Sequence, residues 1–225
     1  ILHCITSVIT HEIILKFYAL FKGLFAKMDT HRRFMQRALN ISRLGRSSVS
    51  PNPIVGCVIV KNNKIIGEGY HNQFGGPHAE VLAVRNSTES VCGATAYVTL
   101  EPCNQSGKTP PCLRLLIESN IEKVVIGIKD PNPMMSHSGI DQLKAAGIQT
   151  DLGILKTEIQ YANRGFLKWI QYGLPWVIVK IAQSDNGLIS INRHERTMIT
   201  GELVKSEVHS LRAEVDAVLI GRQTA

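Results

Sequence analysis

Between residues 54 and 147, short apolar runs rich in β-branched residues alternate with segments of helical periodicity, and this alternation constrains the fold more than any other feature of the chain. "IVGCVIV" (54–60) reads as a strand, Asn62-Asn63 as a turn, and "KIIGEGY" as the strand that pairs back in a hairpin. "HAEVLAVRN" is then helical, "ATAYVTL" a strand, "CLRLLIES" a helix, "EKVVIGI" a strand and "GIDQLKAAG" a helix. Strands separated by helices of about ten residues predict an α/β fold, a sheet with parallel neighbours and helices on its faces. Upstream, Phe34, Ala38, Ile41 and Leu44 recur at helical spacing, and Gly45 closes that helix. Downstream, the helical stretch around "NRGFLKWIQYG" meets Pro175 and a further predicted strand, "WVIVKIA" (176–182). A domain boundary is therefore expected near 172–175.

With 225 residues, 44% of them hydrophobic, and a mean hydropathy of +0.03, the chain is sized for one full domain and part of another. The five cysteines, at 4, 57, 92, 103 and 112, lack the density of a disulfide scaffold, and no secretory signal is evident, so a cytoplasmic location is expected. Of the net charge of +7, residues 1–48 carry six, with eight Lys/Arg against Glu12 and Asp29. A basic segment outside the body of a fold is weak support for a nucleic-acid groove, and no nucleic-acid partner is expected. Residues 1–27 are apolar but broken by His11, Glu12, Lys16 and Lys22, which spoils a span of roughly 20 apolar residues. They read as an extension or upstream read-through, with a membrane-surface helix as the alternative, and no membrane partner is expected.

Chemistry concentrates in two stretches, "PHAEV" and "LEPCNQSGKTPPC". A catalytic zinc takes three protein ligands and leaves the fourth position for water. His78 falls at the predicted start of one helix, Cys112 at the start of the next, and Cys103 in the loop leading to it. Helix N-termini favour thiolate over thiol, which suits cysteines that must bind metal. Glu80, two residues after His78, is placed to reach the water and not the ion. Taken singly, His78 reads as a helix cap, Cys103 as a small buried hydrophobe and Glu80 as a first-turn carboxylate. In this order and spacing they read as one site, with the layout of the zinc nucleobase deaminases, H-x-E followed by P-C-x-x-C. Cys57, inside an apolar strand, reads as core, and Cys4 and Cys92 have no partner pattern.

Eight residues separate the two cysteines in place of two, and the insert holds Gly107, Lys108 and Thr109, a turn with backbone donors and a cation suited to a phosphorylated sugar. Here the sequence resembles the riboflavin-biosynthesis bifunctional deaminase-reductase family. The matching motifs are "P-N-P-x-V-G" (Pro51 to Gly56), "G-E-G-Y-H" (Gly67 to His71), "P-H-A-E" (Pro77 to Glu80) and "G-A-T-A-Y-V-T-L-E-P-C" (Gly93 to Cys103). "G-K-T-P-P-C" (Gly107 to Cys112) and "D-P-N-P" (Asp130 to Pro133) continue the match.

The resemblance implies a cytidine-deaminase-like three-layer α/β/α domain over 28–172, followed over 175–225 by the beginning of a dihydrofolate-reductase-like α/β domain. It implies Zn2+ on His78, Cys103 and Cys112, Glu80 as proton shuttle, and Asn52, Gln105 and Lys108 as contacts to a small phosphorylated pyrimidine. That substrate would be 2,5-diamino-6-(5-phosphoribosylamino)pyrimidin-4-one, deaminated to the aminouracil. For the reductase part it implies NADPH, Arg212 against substrate, and Gln183, Met198 and Thr224 against cofactor. Three positions depart from the family pattern: Gln105 for His, Asn186 for Asp and Met198 for Trp. A segment of about 50 residues cannot bury a cofactor-binding core, so the reduction is expected to be lost or incomplete. A tRNA or nucleic-acid deaminase and a silent zinc-structured module are the alternatives, and a homo-oligomer is left open.

Overall fold

In the computed structural model, the described residues are 29–104, 111–132, 139–191 and 197–222, so the expectation for residues 1–27 lies outside them. The first helix, α1 (29–42), buries Phe34, Met35, Ala38, Leu39 and Ile41 on one face. A 3-10 turn, Arg43–Gly45, ends it. The tighter turn changes the period from 3.6 to 3.0 residues. Leu44 is thereby carried off the apolar face on which its spacing placed it, and it is 66% exposed.

The hairpin forms as the sequence predicts. Strands β1 (Gly56–Lys61) and β2 (Lys64–Tyr70) pair antiparallel with Lys61 opposite Lys64, and the two turn residues Asn62 and Asn63 take φ of 49° and 63°. Asparagine tolerates this left-handed backbone better than most residues. Strand β3 (Thr95–Leu100) lies antiparallel on the other side of β1, and β4 (Lys123–Ile128) and β5 (Gln149–Leu152) continue parallel to it, giving the order β2-β1-β3-β4-β5. Neither β5 nor the following helix was legible in advance, since "QTDL" offers one strongly apolar residue and its strand is set by pairing with β4.

Alternation along each strand feeds two cores. Cys57, Ile59, Val98 and Ile126 point to one side, where helices α2 (Ala79–Arg85), α3 (Cys112–Glu118) and α4 (Gly139–Ala145) cover them with Ala83, Leu116 and Leu143. Val58, Val60, Tyr97 and Val125 point to the other, against α1 and against Ile159 of α5 (Lys156–Ala162). The result is the three-layer α/β/α arrangement with parallel neighbours that the alternation of elements predicts.

The last helices are α6 (Arg164–Tyr172) and α7 (Glu202–Glu214), and no described helix is long and apolar enough to cross a membrane. The strand predicted over 176–182 is not one: a strand requires a neighbour, and this stretch has none among the described residues. Val177, Val179 and Ile181 are accordingly exposed. The first residue of the stretch, Trp176, lies under the Arg164 guanidinium at 6.0 Å, while the end of α7 is held by Arg46 to Glu214 at 2.5 Å and by the Ser50 hydroxyl donating to Asp216 just after it.

Gly69 shows how closely α2 lies on the hairpin, because a Cβ there would come within 2.4 Å of the Ala79 carbonyl oxygen and of the Ala83 nitrogen. Gly69→Ala is expected to lower unfolding free energy by about 1–3 kcal/mol through overpacking. At Gly165 in α6 a Cβ would meet nothing within 4 Å, and Gly165→Ala is expected to raise it by about 0.5–1 kcal/mol. Urea midpoints of the two variants check the opposite signs.

Candidate active site

Three segments end at one place. His78 immediately precedes α2 with an extended backbone (φ −73°, ψ 163°), Cys112 is the first residue of α3, and Cys103 follows the end of β3 by three residues. Their donor atoms all lie within 4.8 Å of one another. His78 Nδ1 is 3.2 Å from Cys112 Sγ and 3.4 Å from Cys103 Sγ, and the Cys112 N–H donates to Cys103 Sγ at 3.3 Å. Tetrahedral zinc with its usual bond lengths would place nitrogen and sulfur ligands ~3.6 Å apart. One imidazole and two thiols at this spacing therefore fit that ion, both in donor chemistry and in reach.

The thiols share charge unequally. Hydrogen bonds from Cys112 and His78 hold Cys103 well below the ordinary thiol range, while its bond to Cys103 and its burial push Cys112 up. His78 is raised, chiefly by its hydrogen bond to Cys103.

Glu80 is 3% exposed. Burial, with the Cys103 charge adding to it, pushes its carboxyl up to about 7, and its side chain is hydrogen-bonded with Cys112. A carboxyl with that affinity for protons both takes and gives one near neutral pH. Cys57 lies fully buried in β1, as expected for a core residue, and the thiol is held up by desolvation and by the Glu80 charge.

Asn52 reaches this place through His71, a residue that the motif "G-E-G-Y-H" contained without suggesting a role. His71 is 3% exposed, and burial lowers its pKa. The Pro77 carbonyl can only accept, so His71 Nδ1 carries the proton that it donates there at 3.1 Å. Nε2 is then left to accept from Asn52 Nδ2 at 3.1 Å, and Oδ1 of Asn52 remains as the acceptor it can present. The His71 and His78 rings meet edge-on with centroids 5.6 Å apart, which puts Asn52 on the metal-ligand side of the sheet. A buried amide fixes the approach to β1: Asn163 accepts from the Ile54 N–H at 2.9 Å and donates to the Ile54 carbonyl at 3.2 Å. Sequence reasoning missed it, because an Asn between two helices looks like a cap until its partner 109 residues away is known.

Gln105, Lys108 and Thr224 lie outside the described residues. Arg212 and Met198 line a separate cleft of about 260 Å³ beside α7, together with Lys180, Lys205 and His209. Gln183 is exposed and does not line that cleft.

Comparison with known proteins agrees with this geometry. Residues 28–128 match the cytidine and deoxycytidylate deaminase zinc-binding region, and residues 175–225 match the RibD C-terminal domain. The riboflavin biosynthesis protein RibD of Actinobacillus pleuropneumoniae is 44% identical over 198 residues, 88% of this chain and 53% of that protein. The chain belongs to the riboflavin-biosynthesis deaminase-reductase family. Among solved structures, a diaminohydroxyphosphoribosylaminopyrimidine deaminase/5-amino-6-(5-phosphoribosylamino)uracil reductase from Thermotoga maritima superposes with a TM-score of 0.79. It is 40% identical, and the match covers 83% of this chain and 54% of that one. RibD of Acinetobacter baumannii gives a TM-score of 0.76 at 42% identity, covering 83% of this chain and 52% of that one. The chain thus spans about half the length of the curated relatives it matches.

If the three donors act as one cation site, His78→Ala, Cys103→Ser and Cys112→Ser each purify with much less zinc than the wild type, while Cys57→Ser keeps its zinc. Elemental analysis per folded chain reads the difference.

Proposed function

We propose that residues 28–172 form a zinc-dependent hydrolytic deaminase of a small phosphorylated aminopyrimidine, with residues 175–225 belonging to a separate reductase-like unit. The observation that carries this reading is the fully enclosed Glu80 carboxyl beside the His78, Cys103 and Cys112 donors. The substrate that suits the family relationship is 2,5-diamino-6-(5-phosphoribosylamino)pyrimidin-4-one, and the product is 5-amino-6-(5-phosphoribosylamino)uracil.

When bound, zinc supplies a Lewis acid that makes water a nucleophile near neutral pH. His78, Cys103 and Cys112 would hold it, their two sulfurs as thiolates offsetting the charge of the ion. Glu80 accepts the proton that water loses as its oxygen bonds to C2 of the ring. The same carboxyl then gives a proton to the neighbouring ring nitrogen. As the C2–N bond breaks and the carbonyl forms, Glu80 carries the second proton to the departing amine, which leaves as ammonia. One side chain can serve both transfers because it is buried beside the three donors and forms no salt bridge among the described residues. Asn52 Oδ1 accepts from a ring or amino N–H, its orientation fixed by His71. The family relationship supports Gln105 and Lys108 as further substrate contacts, the Lys108 cation suiting the phosphate.

For the 175–225 unit, the cleft with Lys180, Lys205, His209 and Arg212 suits an anionic group. The described residues of that unit contain no strand and no buried residue.

Glu80→Gln keeps the shape of the side chain but cannot take the proton. At matched zinc content, deamination of the diaminopyrimidinone by this variant is expected to fall by about 10²–10⁴-fold or more. A rate within tenfold of the wild type would remove Glu80 from the chemistry.

A further inference from the structure

Strand β3 runs straight into the cysteine site: Leu100 pairs with Ile128, and the next three residues are Glu101, Pro102 and Cys103. Glu101 is a carboxylate only 4% exposed, and a buried acceptor of that kind must be met by donors. Its Oε2 accepts from the Asp130 N–H at 3.1 Å and its Oε1 from the Ile140 N–H at 3.1 Å, while its own N–H donates to the Ile128 carbonyl at 2.9 Å. One side chain therefore bridges the exit from β4 and the start of α4. Pro102 fixes the next φ, and its carbonyl lies so close to Gly139 that a Cβ there would come within 2.8 Å of the oxygen. From the other side the Leu113 N–H of α3 donates to the Cys103 carbonyl at 3.1 Å.

We propose that Glu101 is a positioning residue for the metal site: its doubly engaged carboxylate clamps the Glu101–Cys103 segment so that the Cys103 sulfur is in place before the cation arrives. A side chain that only capped α4 would leave the loop after β4 loose, whereas this one ties both the exit from β4 and the start of α4 to the segment that carries a ligand. Residues that orient ligands from behind typically hold about 10–100-fold in metal affinity. The inference rests on His78, Cys103 and Cys112 holding zinc.

The test is chelator competition for zinc on the full chain, with thermal unfolding measured beside it. Glu101→Gln keeps the volume but turns an N–H₂ donor toward one of the two backbone N–H groups, so one bond becomes a donor–donor contact. Its zinc affinity is expected to fall about 10–100-fold. Gly139→Ala presses mainly on the Pro102 carbonyl, 2.8 Å from the added Cβ, and meets Glu101 Oε1 only at 3.4 Å, an ordinary contact; it is expected to weaken zinc in the same direction. Leu143→Ala, a cavity in the core face of the same helix, is expected to lower the melting temperature with zinc affinity unchanged. Glu101→Gln that unfolds earlier yet holds zinc as the wild type does would overturn the proposal. Should that variant not fold, unchanged affinity in Gly139→Ala overturns it instead. Failure of the wild type itself to bind zinc would defeat the metal-site reading, a distinguishable outcome.

Discussion

The meeting of His78 Nδ1, Cys103 Sγ and Cys112 Sγ within 4.8 Å depends on where three chain segments stop. Because β3 and β4 are parallel, the chain must leave the carboxyl end of β3 and cross over through α3, so Cys103 and the first residue of α3 are neighbours by topology. The third donor comes from the start of α2, which Gly69 allows to lie against β2 at backbone contact distance. Loss of either relation would separate the donors by more than one cation can span. Core packing and site assembly are thus the same problem here, since Cys57 and Ala83 pack on the layer that carries Glu80.

Along the edge of the sheet where β1 begins and β2 and β3 end lie buried polar side chains, each with a job that can be named from its partners. His71, its tautomer set by the Pro77 carbonyl, orients Asn52. Asn163 substitutes for a strand neighbour at Ile54. Glu101 holds the two N–H groups that flank the connection from β4 to α4. Unpartnered, any of these groups would cost about 1–3 kcal/mol of desolvation. Their burial therefore makes sense only with the network complete, and such a network leaves a ligand-binding loop little freedom to wander.

The sheet and most of its helices were legible because period-2 and period-3.6 patterns are local, and the ligand set because H-x-E and the two Pro-flanked cysteines are compact motifs. What escaped had non-local causes. Leu44 left its face through a change of helix type. "QTDL" became a strand through pairing with β4, and "WVIVKIA" failed to be one for want of a neighbour. Glu101 and His71 stood in motifs that could be quoted, but their partners are 39 and 6 residues away, and only folding shows which N–H or carbonyl each one meets.

The central claim is one cation held by one imidazole and two thiolates, with a position open to water. X-ray absorption on the zinc-loaded chain tests it most directly. The account predicts two sulfur neighbours at about 2.3 Å and two lighter neighbours at about 2.0–2.1 Å, one of them histidine. A shell of four protein ligands, or one of six oxygens, would contradict it.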